Sequence, residues 1–298
     1  MPSVPVADLD IWKEWIGSIR IEQLQRANLV LLVEEASDNP EILDDVHKRL
    51  SDRLAQLFDL MHLQVGMECG SADMLYGSSI RGVPVLRQLS PLPTFYQSKG
   101  YRRSPITERW LEEAVTLRTG LTAIRSNAAE FQRTLRGLNI LANGLQQQAG
   151  QDRLHQFVRS LEALILPDVA NTRKQFAHRC QTFAGASDAT RNLLLEAFSM
   201  RSDAEHVHPW DRAVQRYPAD QRDDLCWQRT RQMERLACGA YARLLRDDRI
   251  RIHFRTDDVT AAFWKMPDDR RCAVWADQLD ITREALVREY DQWGRATT

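Results

Sequence analysis

The sequence contains few of the features that mark disulfide frameworks, metal sites or membrane spans. Its five cysteines are an odd number and no two have CxxC spacing, which argues against a disulfide-stabilised fold and a zinc ribbon. The longest apolar run, Leu29 to Val33, is far too short to cross a membrane. The N-terminal residues lack the basic start and apolar core of a signal peptide. These absences predict a cytoplasmic protein without a membrane segment.

Lysine is also scarce, and positive and negative charges nearly balance. Only five of the 40 basic residues are lysines, and the formal net charge of the 298-residue chain is −1. A net charge near zero does not by itself indicate a nucleic-acid-binding protein. Arginine forks match phosphates better than lysine does, although a GC-rich genome explains the arginine bias more simply.

Apolar residues recur every three or four positions along most of the chain, which predicts helices. The clearest example is Asp152 to Leu166, which Pro167 ends. Ser187 is a predicted N-cap for a helix that reaches about His206, shortly before Pro209. Further helices are predicted over 8–19, 21–36, 42–61, 108–121, 128–145, 172–183, 220–247, 259–266, 270–279 and 282–293.

Two segments interrupt the helical pattern. Glycines and prolines within 65–104 predict a long irregular loop with room for a short strand, and Arg249 to Arg255 alternates like a strand. The sequence therefore divides into an N-terminal helical region (1–64), this loop, a helical bundle (105–250) and a C-terminal helical extension (251–298). The predicted fold class is all-α, a helical bundle with additional helices at both ends.

The loop carries aromatic and arginine side chains that could bind single-stranded RNA by stacking on its bases. The simpler alternative is that these side chains attach the loop to the helical body. The candidate RNA-binding residues are Arg81, Arg87, Tyr96, Arg102 and Arg103.

The segment MRSDAEH, Met200 to His206, places an arginine and a histidine at the spacing R-x4-H. RNA can be cut without a metal when its own 2′-hydroxyl attacks the neighbouring phosphate. That reaction needs a proton-transferring group near neutral pH, such as histidine, and a cation for the phosphate oxygens, such as arginine. Arg201 and His206 could fill these two roles, but R-x4-H spacing alone is a weak signal, and it is the resemblance described next that makes them the candidate catalytic pair. The candidate supporting residues are Ser202, Asp203, Glu205 and His208.

The sequence around this motif resembles the ApeA-like branch of the HEPN domains. The similar segments are RLHQFVRSLEAL (Arg153 to Leu164), TRKQFAHRC (Thr172 to Cys180) and the stretch Leu193 to Met200 that leads into Arg-Ser. The resemblance covers roughly residues 105–250. It implies a helical bundle that commonly dimerises, and a metal-independent ribonuclease of a toxin, abortive-infection or CRISPR-associated system.

Helix geometry separates the two candidate catalytic residues. Five residues turn an α-helix about 140° beyond a full rotation, so Arg201 and His206 do not share a helix face. Either the helix unwinds near His206, or a second protomer completes the site; the resemblance implies a cleft between two protomers. Relatives often have glycine after the histidine, whereas this chain has Val207-His208. A β-branched residue fits a left-handed helix end badly, which predicts a differently shaped terminus and leaves His208 as an alternative imidazole.

Other chemistries have less support. Arg173 and His178 also have R-x4-H spacing, and we interpret them as part of a packing helix. A zinc site of His178, Cys180, His206 and His208 would need His-x-Cys and His-x-His spacings, which are unusual. The chain has no Walker loop, no G-x-G-x-x-G and no G-x-S-x-G. We therefore predict neither a metal nor a cofactor.

Three functional hypotheses remain open. The first is a homodimeric HEPN-type ribonuclease in anti-phage defence or a toxin system, which leaves 2′,3′-cyclic phosphate ends. The second is a non-catalytic scaffold that binds RNA or a partner protein. The third is an effector that a partner protein or antitoxin holds inactive until a trigger arrives.

Overall fold

The computed structural model describes most of the chain. The described residues are 9–26, 30–36, 45–64, 73–80, 83–92, 95–96, 98–99 and 108–283. The chain divides into two compact units, which are Met1–Phe58 with Ser71–Pro93 and Asp59–Gly70 with Thr94–Thr298. Within the described ranges the regular secondary structure is helical apart from one hairpin, which confirms the predicted all-α class.

The first unit contains two helices and a β-hairpin. Its elements are α1 (Leu9–Arg26), most of α2 (Asp45–His62), β1 (Asp73–Ile80) and β2 (Val83–Pro91). Gly17 interrupts α1 with a φ of 78°, a conformation that glycine adopts without the steric cost of a Cβ atom.

The helix predicted over 21–36 matches the end of α1 up to Arg26 but is wrong over 30–36. Residues 30–36 are not helical; Val30 and Leu32 are exposed, while Leu31 between them is half-buried. This alternation is typical of extended chain, in which successive side chains point to opposite sides. A continuous apolar run is compatible with both the helical and the strand period, so the sequence pattern could not distinguish a helix from extended chain here.

The segment 65–104, predicted as an irregular loop, contains the hairpin. The antiparallel pairing runs from Asp73 opposite Pro91 to Ile80 opposite Val83. Only two residues separate the strands, which is the commonest hairpin connection. Glycine and proline within the strands weaken the sequence signal for strand structure, and this explains why the pattern indicated a loop.

The second unit is a helical bundle. Its helices are α3 (Glu108–Ser126), α4 (Gln132–Leu145), α5 (Gly150–Ile165), α6 (Thr172–Arg179), α7 (Gln181–Ala184), α8 (Asp188–Glu205), α9 (Arg222–Arg246), α10 (Asp248–Arg251), α11 (Asp257–Trp264) and α12 (Asp268–Trp275). Every helix predicted between 108 and 279 has a counterpart among them. The helix predicted over 282–293 lies outside the described residues except for its first two positions.

The strand predicted over Arg249 to Arg255 is wrong. This segment is helical, with α10 followed by a 3₁₀ turn over Ile252–Phe254. The Asp247 carboxylate accepts a hydrogen bond from the backbone N–H of Arg249 at 3.0 Å and so caps α10. Ile250 and Phe254, four positions apart, are both buried, so the burial follows the helical period.

Helices α5 and α9 form the centre of the bundle. Helix α5 contacts α4, α8 and α9, and α3 also packs on α9. The apolar face of α5 is completely buried, and its members are Leu154, Phe157, Val158, Leu161, Leu164 and Ile165. Helix α9 is buried along most of its 25 residues, including several polar side chains. The buried polar side chains therefore need partners inside the bundle.

An ion pair between Arg153 of α5 and Glu234 of α9 satisfies that need at the centre. Both side chains are almost fully buried, and Arg153 Nη2 lies 2.9 Å from Glu234 Oε2. The Arg153 guanidinium also donates to the carbonyl oxygens of Leu145 (3.1 Å) and Gln147 (2.9 Å), which caps the end of α4. Ser98 accepts from Arg153 Nε and donates to Glu234. One guanidinium thus joins α4, α5 and α9.

Replacing one member of this pair should destabilise the protein strongly. We expect Arg153→Met or Glu234→Leu to lower the free energy of unfolding by about 3–5 kcal/mol, because each leaves an uncompensated buried charge. Urea denaturation would measure the loss. Arg249→Ala is the control, since Arg249 pairs with Asp247 at the surface; it should leave the midpoint unchanged. Equal effects of the buried and the surface substitution would contradict this role.

Candidate active site

Helix α8 carries the motif that contains the candidate catalytic pair. Its N-terminus is fixed by Ser187, whose Oγ accepts a hydrogen bond from the backbone N–H of Thr190 at 3.0 Å. The predicted N-cap is therefore confirmed. The helix continues to Glu205, so Arg201 lies in its last turns and His206 follows as the C-terminal cap.

The C-terminus of α8 closes in a left-handed conformation. The backbone N–H of His208 donates to the carbonyl of Asp203 (2.8 Å), and that of Val207 donates to Ala204 (3.2 Å). This pair of bonds is the Schellman arrangement, in which the residue after the cap is left-handed. Val207 occupies that position with a φ of 58°. The prediction of a differently shaped terminus is wrong, because the helix end imposes the left-handed conformation although the residue is valine.

Arg201 lies between two carboxylates. Its Nη2 is 3.3 Å from Oε2 of Glu162 on α5, and its Nη1 donates to Glu205, one turn further along α8. The guanidinium also lies over the ring of Phe198, with 5.7 Å from Cζ to the ring centroid. The Arg201 side chain is 17% exposed, so it is mostly buried but remains accessible at the surface of the α5–α8 contact.

The two carboxylates differ in how readily they could release Arg201. Burial raises the pKa of Glu162, while the charge of Arg201 opposes this rise and that of Glu205 adds to it. Glu205 is 44% exposed, against 15% for Glu162. An incoming anion would therefore displace Glu205 more easily, because this carboxylate can return to water.

His206 and His208 are exposed beyond the helix end. Their ring centroids lie 6.3 Å apart. Within the described residues Arg201 pairs with Glu162 and Glu205 and has no hydrogen bond or ring contact with His206. The backbone N–H of His206 donates a hydrogen bond to the Ser202 carbonyl at 3.1 Å. The last turn of the helix is therefore not unwound.

The remaining supporting candidates are structural. Ser202 and Asp203 are half-buried, and their backbone carbonyls accept the bonds that close the helix end. The Asp203 carboxylate lies 3.7 Å from Arg212, in the segment that returns towards α9. Glu205 is the supporting residue that contacts Arg201.

A second buried carboxylate attaches α8 to α9. Glu196 accepts from Nε of Arg229 at 2.8 Å with one oxygen. Its other oxygen accepts from Arg216 and from the hydroxyl of Tyr217, the latter at 3.1 Å. The segment after the helix end is thereby held against α8.

Sequence reasoning missed three residues of α5 near Arg201. Glu162, His155 and Arg159 all lie in the segment RLHQFVRSLEAL, but the sequence assigns none of them a role. The charges of Arg201 and Arg159 both act on His155. The spacing of positions 155, 159 and 162 indicates that these three residues share one helix face. Only the structure shows that this face meets α8.

The structure tests little of the predicted RNA-binding loop. Arg81, Arg102 and Arg103 lie outside the described residues, and of Arg87 only the backbone in β2 is described. Tyr96 is half-buried, and its backbone N–H donates to the Leu145 carbonyl at 3.0 Å. For Tyr96 this bond favours attachment of the loop to the helical body.

The second R-x4-H motif lies on α6. Arg173 and His178 are exposed there, and His178 Nε2 is 3.1 Å from the Asp268 carboxylate of α12. Cys180 is fully buried, and burial raises the pKa of its thiol. Among the described residues no three His, Cys, Asp or Glu side chains are arranged to hold a metal ion.

The strain at Val207 gives a stability prediction. Val207→Gly should raise the free energy of unfolding by about 1 kcal/mol, because a left-handed conformation costs an L-residue roughly 1–2 kcal/mol and glycine much less. Val207→Ala removes the β-branch but keeps the Cβ atom, and it should gain less. Thermal and urea unfolding would measure both. A loss of stability in Val207→Gly would contradict a left-handed helix end.

Comparison with known proteins identifies no relative of the chain. No protein-family model, no curated protein and no solved structure matches it. Among the described residues, no helix has the length and apolar character needed to cross a bilayer. The likeness to HEPN domains therefore rests on the sequence segments quoted above, and the function has to be argued from the chemistry of the α5–α8 site.

Proposed function

We propose that the chain is a metal-independent endoribonuclease of the HEPN type that acts in the cytoplasm, in anti-phage defence or as a toxin. The observation that carries this proposal is the end of α8, where a strained valine presents two exposed imidazoles beyond a mostly buried arginine. Strained non-glycine backbone persists where the surrounding structure or the function maintains it. Here glycine would relieve the strain at no cost to the helix-closing hydrogen bonds.

The proposed reaction uses Arg201 and His206 in separate roles. The 2′-hydroxyl of the RNA gives its proton to a general base, its oxygen attacks the adjacent phosphorus, and the bond from phosphorus to the 5′-oxygen breaks. His206 gives a proton to that leaving oxygen, and the products are a 2′,3′-cyclic phosphate and a 5′-hydroxyl. Arg201 stabilises the charge on the phosphoryl oxygens. Ribose supplies the nucleophile, so the chemistry needs no metal-activated water.

The separation of Arg201 and His206 supports a site that two protomers share. The helix end is closed by hydrogen bonds, so His206 does not turn towards Arg201 of its own chain by unwinding. A homodimer with two α8 ends facing each other would bring the His206 of one protomer to the Arg201 of its partner. The exposed Val207 would then lie within the contact.

Arg201 must first exchange a carboxylate for a phosphate. In the resting arrangement Glu162 and Glu205 both neutralise it. A phosphate that replaces Glu205 would restore a charge-assisted pair in which the guanidinium can bind two oxygens. Glu162 would remain and hold the guanidinium in place. The exposed carboxylate thus acts as a counter-ion that the substrate displaces.

The same pairing favours a second candidate function. If Glu205 is never displaced, Arg201 serves only to join α8 to α5, and the chain is a non-catalytic scaffold for RNA or a partner protein. The arginine would then contribute to stability, and its loss would leave RNA binding unchanged.

Cleavage assays with EDTA present would separate these functions. We expect wild type to cleave RNA and to leave 2′,3′-cyclic phosphate ends. His206→Gln should lower the rate by about 10²–10⁴-fold, as is typical for loss of a general acid, and Arg201→Gln by about 10²–10³-fold, as is typical for loss of a group that stabilises charge in the transition state. Arg173→Gln and His178→Gln are matched controls, because they alter the other R-x4-H motif. Mixing Arg201→Gln with His206→Gln should restore part of the activity if two protomers share the site. Cleavage that survives both single substitutions would exclude this pair.

Removing the counter-ion should strengthen RNA binding. We expect Glu205→Gln to raise the affinity for a 2′-deoxy-blocked RNA by about 3–10-fold at low salt, because the phosphate no longer competes with a carboxylate; a charge-assisted bond is worth about 1.5–3 kcal/mol, part of which is regained. Fluorescence anisotropy would measure the affinity. Glu130→Gln is the matched control, since Glu130 pairs with Arg255 at the surface. An equal gain in both variants would show only a change in net charge.

A further inference from the structure

Helix α5 presents a charged face that includes a third histidine, His155. The residues of this face are spaced three, four and three apart, and they are Asp152, His155, Arg159 and Glu162. Such spacings place side chains on one side of a helix. Because Glu162 lies 3.3 Å from Arg201, this face of α5 is directed at the part of α8 that carries the candidate phosphate ligand.

His155 has an unmet hydrogen-bonding atom within this cluster. The side chain is half-buried, and its Nε2 is buried without a hydrogen-bond partner among the described residues. Arg201 Nε is in the same condition. Buried polar atoms nearly always have partners, and an exception calls for an explanation. Nitrogens without a partner also occur elsewhere among the described residues, for example on Arg243 and Arg271, so what distinguishes His155 and Arg201 is that both belong to one charged cluster.

The charges around His155 favour its neutral form. Burial lowers the pKa of His155, and the positive charges of Arg201 and Arg159 lower it further, while Glu205 and Asp152 act in the opposite direction. These groups come from α5 and from α8, and Glu162 also lies between the two helices. A neutral imidazole has a lone pair, so at neutral pH it can accept a proton.

We infer that His155 is the general base of the site, a catalytic residue that accepts the proton of the RNA 2′-hydroxyl. This inference rests on the proposed ribonuclease function. The 2′-O–H bond breaks and its proton passes to the imidazole of His155, while the 2′-oxygen forms its bond to phosphorus. The bond from phosphorus to the 5′-oxygen breaks, and that oxygen takes a proton from His206. Exchange with water then returns the two histidines to their starting forms.

Comparison with His253 shows that the charged groups around His155, and not burial alone, distinguish this histidine. Burial also lowers the pKa of His253. The centroid of its ring, however, lies 5.2 Å from that of Phe263. Among the described residues, burial accounts for the lowered pKa of His253, and no charge acts on it as that of Arg201 acts on His155. His253 therefore provides a matched control with a similar perturbation and no place in the proposed reaction.

The first test compares cleavage by His155→Gln, His155→Asn and His253→Gln. We expect either substitution at His155 to lower kcat by about 10²–10⁴-fold with unchanged affinity for 2′-deoxy-blocked RNA, and His253→Gln to stay within threefold of wild type. If wild type cleaves and Arg201→Gln does not, a His155 variant within threefold of wild type would overturn this inference alone. No cleavage by wild type overturns the proposed function and, with it, the role of His155.

The second test does not require a His155 variant to fold. A general base must be unprotonated, so the acidic limb of the kcat–pH profile reports its pKa. Arg159→Gln removes a charge that lowers the pKa of His155 and should move this limb to higher pH. Asp152→Asn removes a charge that raises that pKa and should move the limb to lower pH. Both residues are exposed. If neither variant moves the acidic limb of the profile, the general base is a group other than His155.

Discussion

The ion pair between Arg153 and Glu234 fixes the relation between the two central helices. A buried charge without its partner is strongly unfavourable, so α5 and α9 can pack in only one register that keeps the guanidinium and the carboxylate together. Arg153 also caps α4, which leaves α5 little freedom to slide or rotate. Glu162 lies nine residues further along the same helix, and its position opposite Arg201 follows from that register. The geometry of the candidate site is thus set by a contact that contains none of its residues.

Within the described bundle, the arginine–carboxylate contacts at Arg153, Glu196 and Arg201 differ in how completely their polar atoms find partners. Arg153 donates from all of its nitrogens to buried acceptors, and Glu196 accepts from Arg229, Arg216 and Tyr217. At Arg201 one nitrogen remains unmet, one carboxylate partner is exposed, and the neighbouring His155 also has an unmet atom. A fully satisfied network of ion pairs and hydrogen bonds stabilises a fold, whereas an incomplete one at the surface leaves donors and acceptors that a ligand can use.

Local patterns predicted the fold better than they predicted the site. Periodicity located the helices of the second unit, and Ser187 marked the start of α8 correctly, because caps and amphipathic faces are properties of neighbouring residues. The sequence predicted no more than a short strand where the hairpin lies, and a strand where the helical segment after Asp247 lies, since strand and helix signals are ambiguous over short stretches. Glu162 and His155 could not be assigned from the sequence, because their roles depend on α8 lying against α5, about 40 residues away in the chain. The sequence identified Arg201 and one of its two carboxylate partners, Glu205, but not the groups of α5 that face it.

The left-handed end of α8 connects the strain at Val207 with the proposed need for two protomers. Had the helix unwound at its last turn, His206 could have approached Arg201 within one chain, and a single copy would have sufficed. Instead the backbone bonds of Val207 and His208 close the helix and hold the imidazoles away from that arginine. A residue that tolerates the left-handed conformation would hold the imidazoles in the same direction with less backbone strain. The valine side chain therefore has a role other than forming the turn. An apolar side chain that is 92% exposed next to His206 is suited to contact a second copy of the same helix end, which is where the proposed mechanism requires a partner.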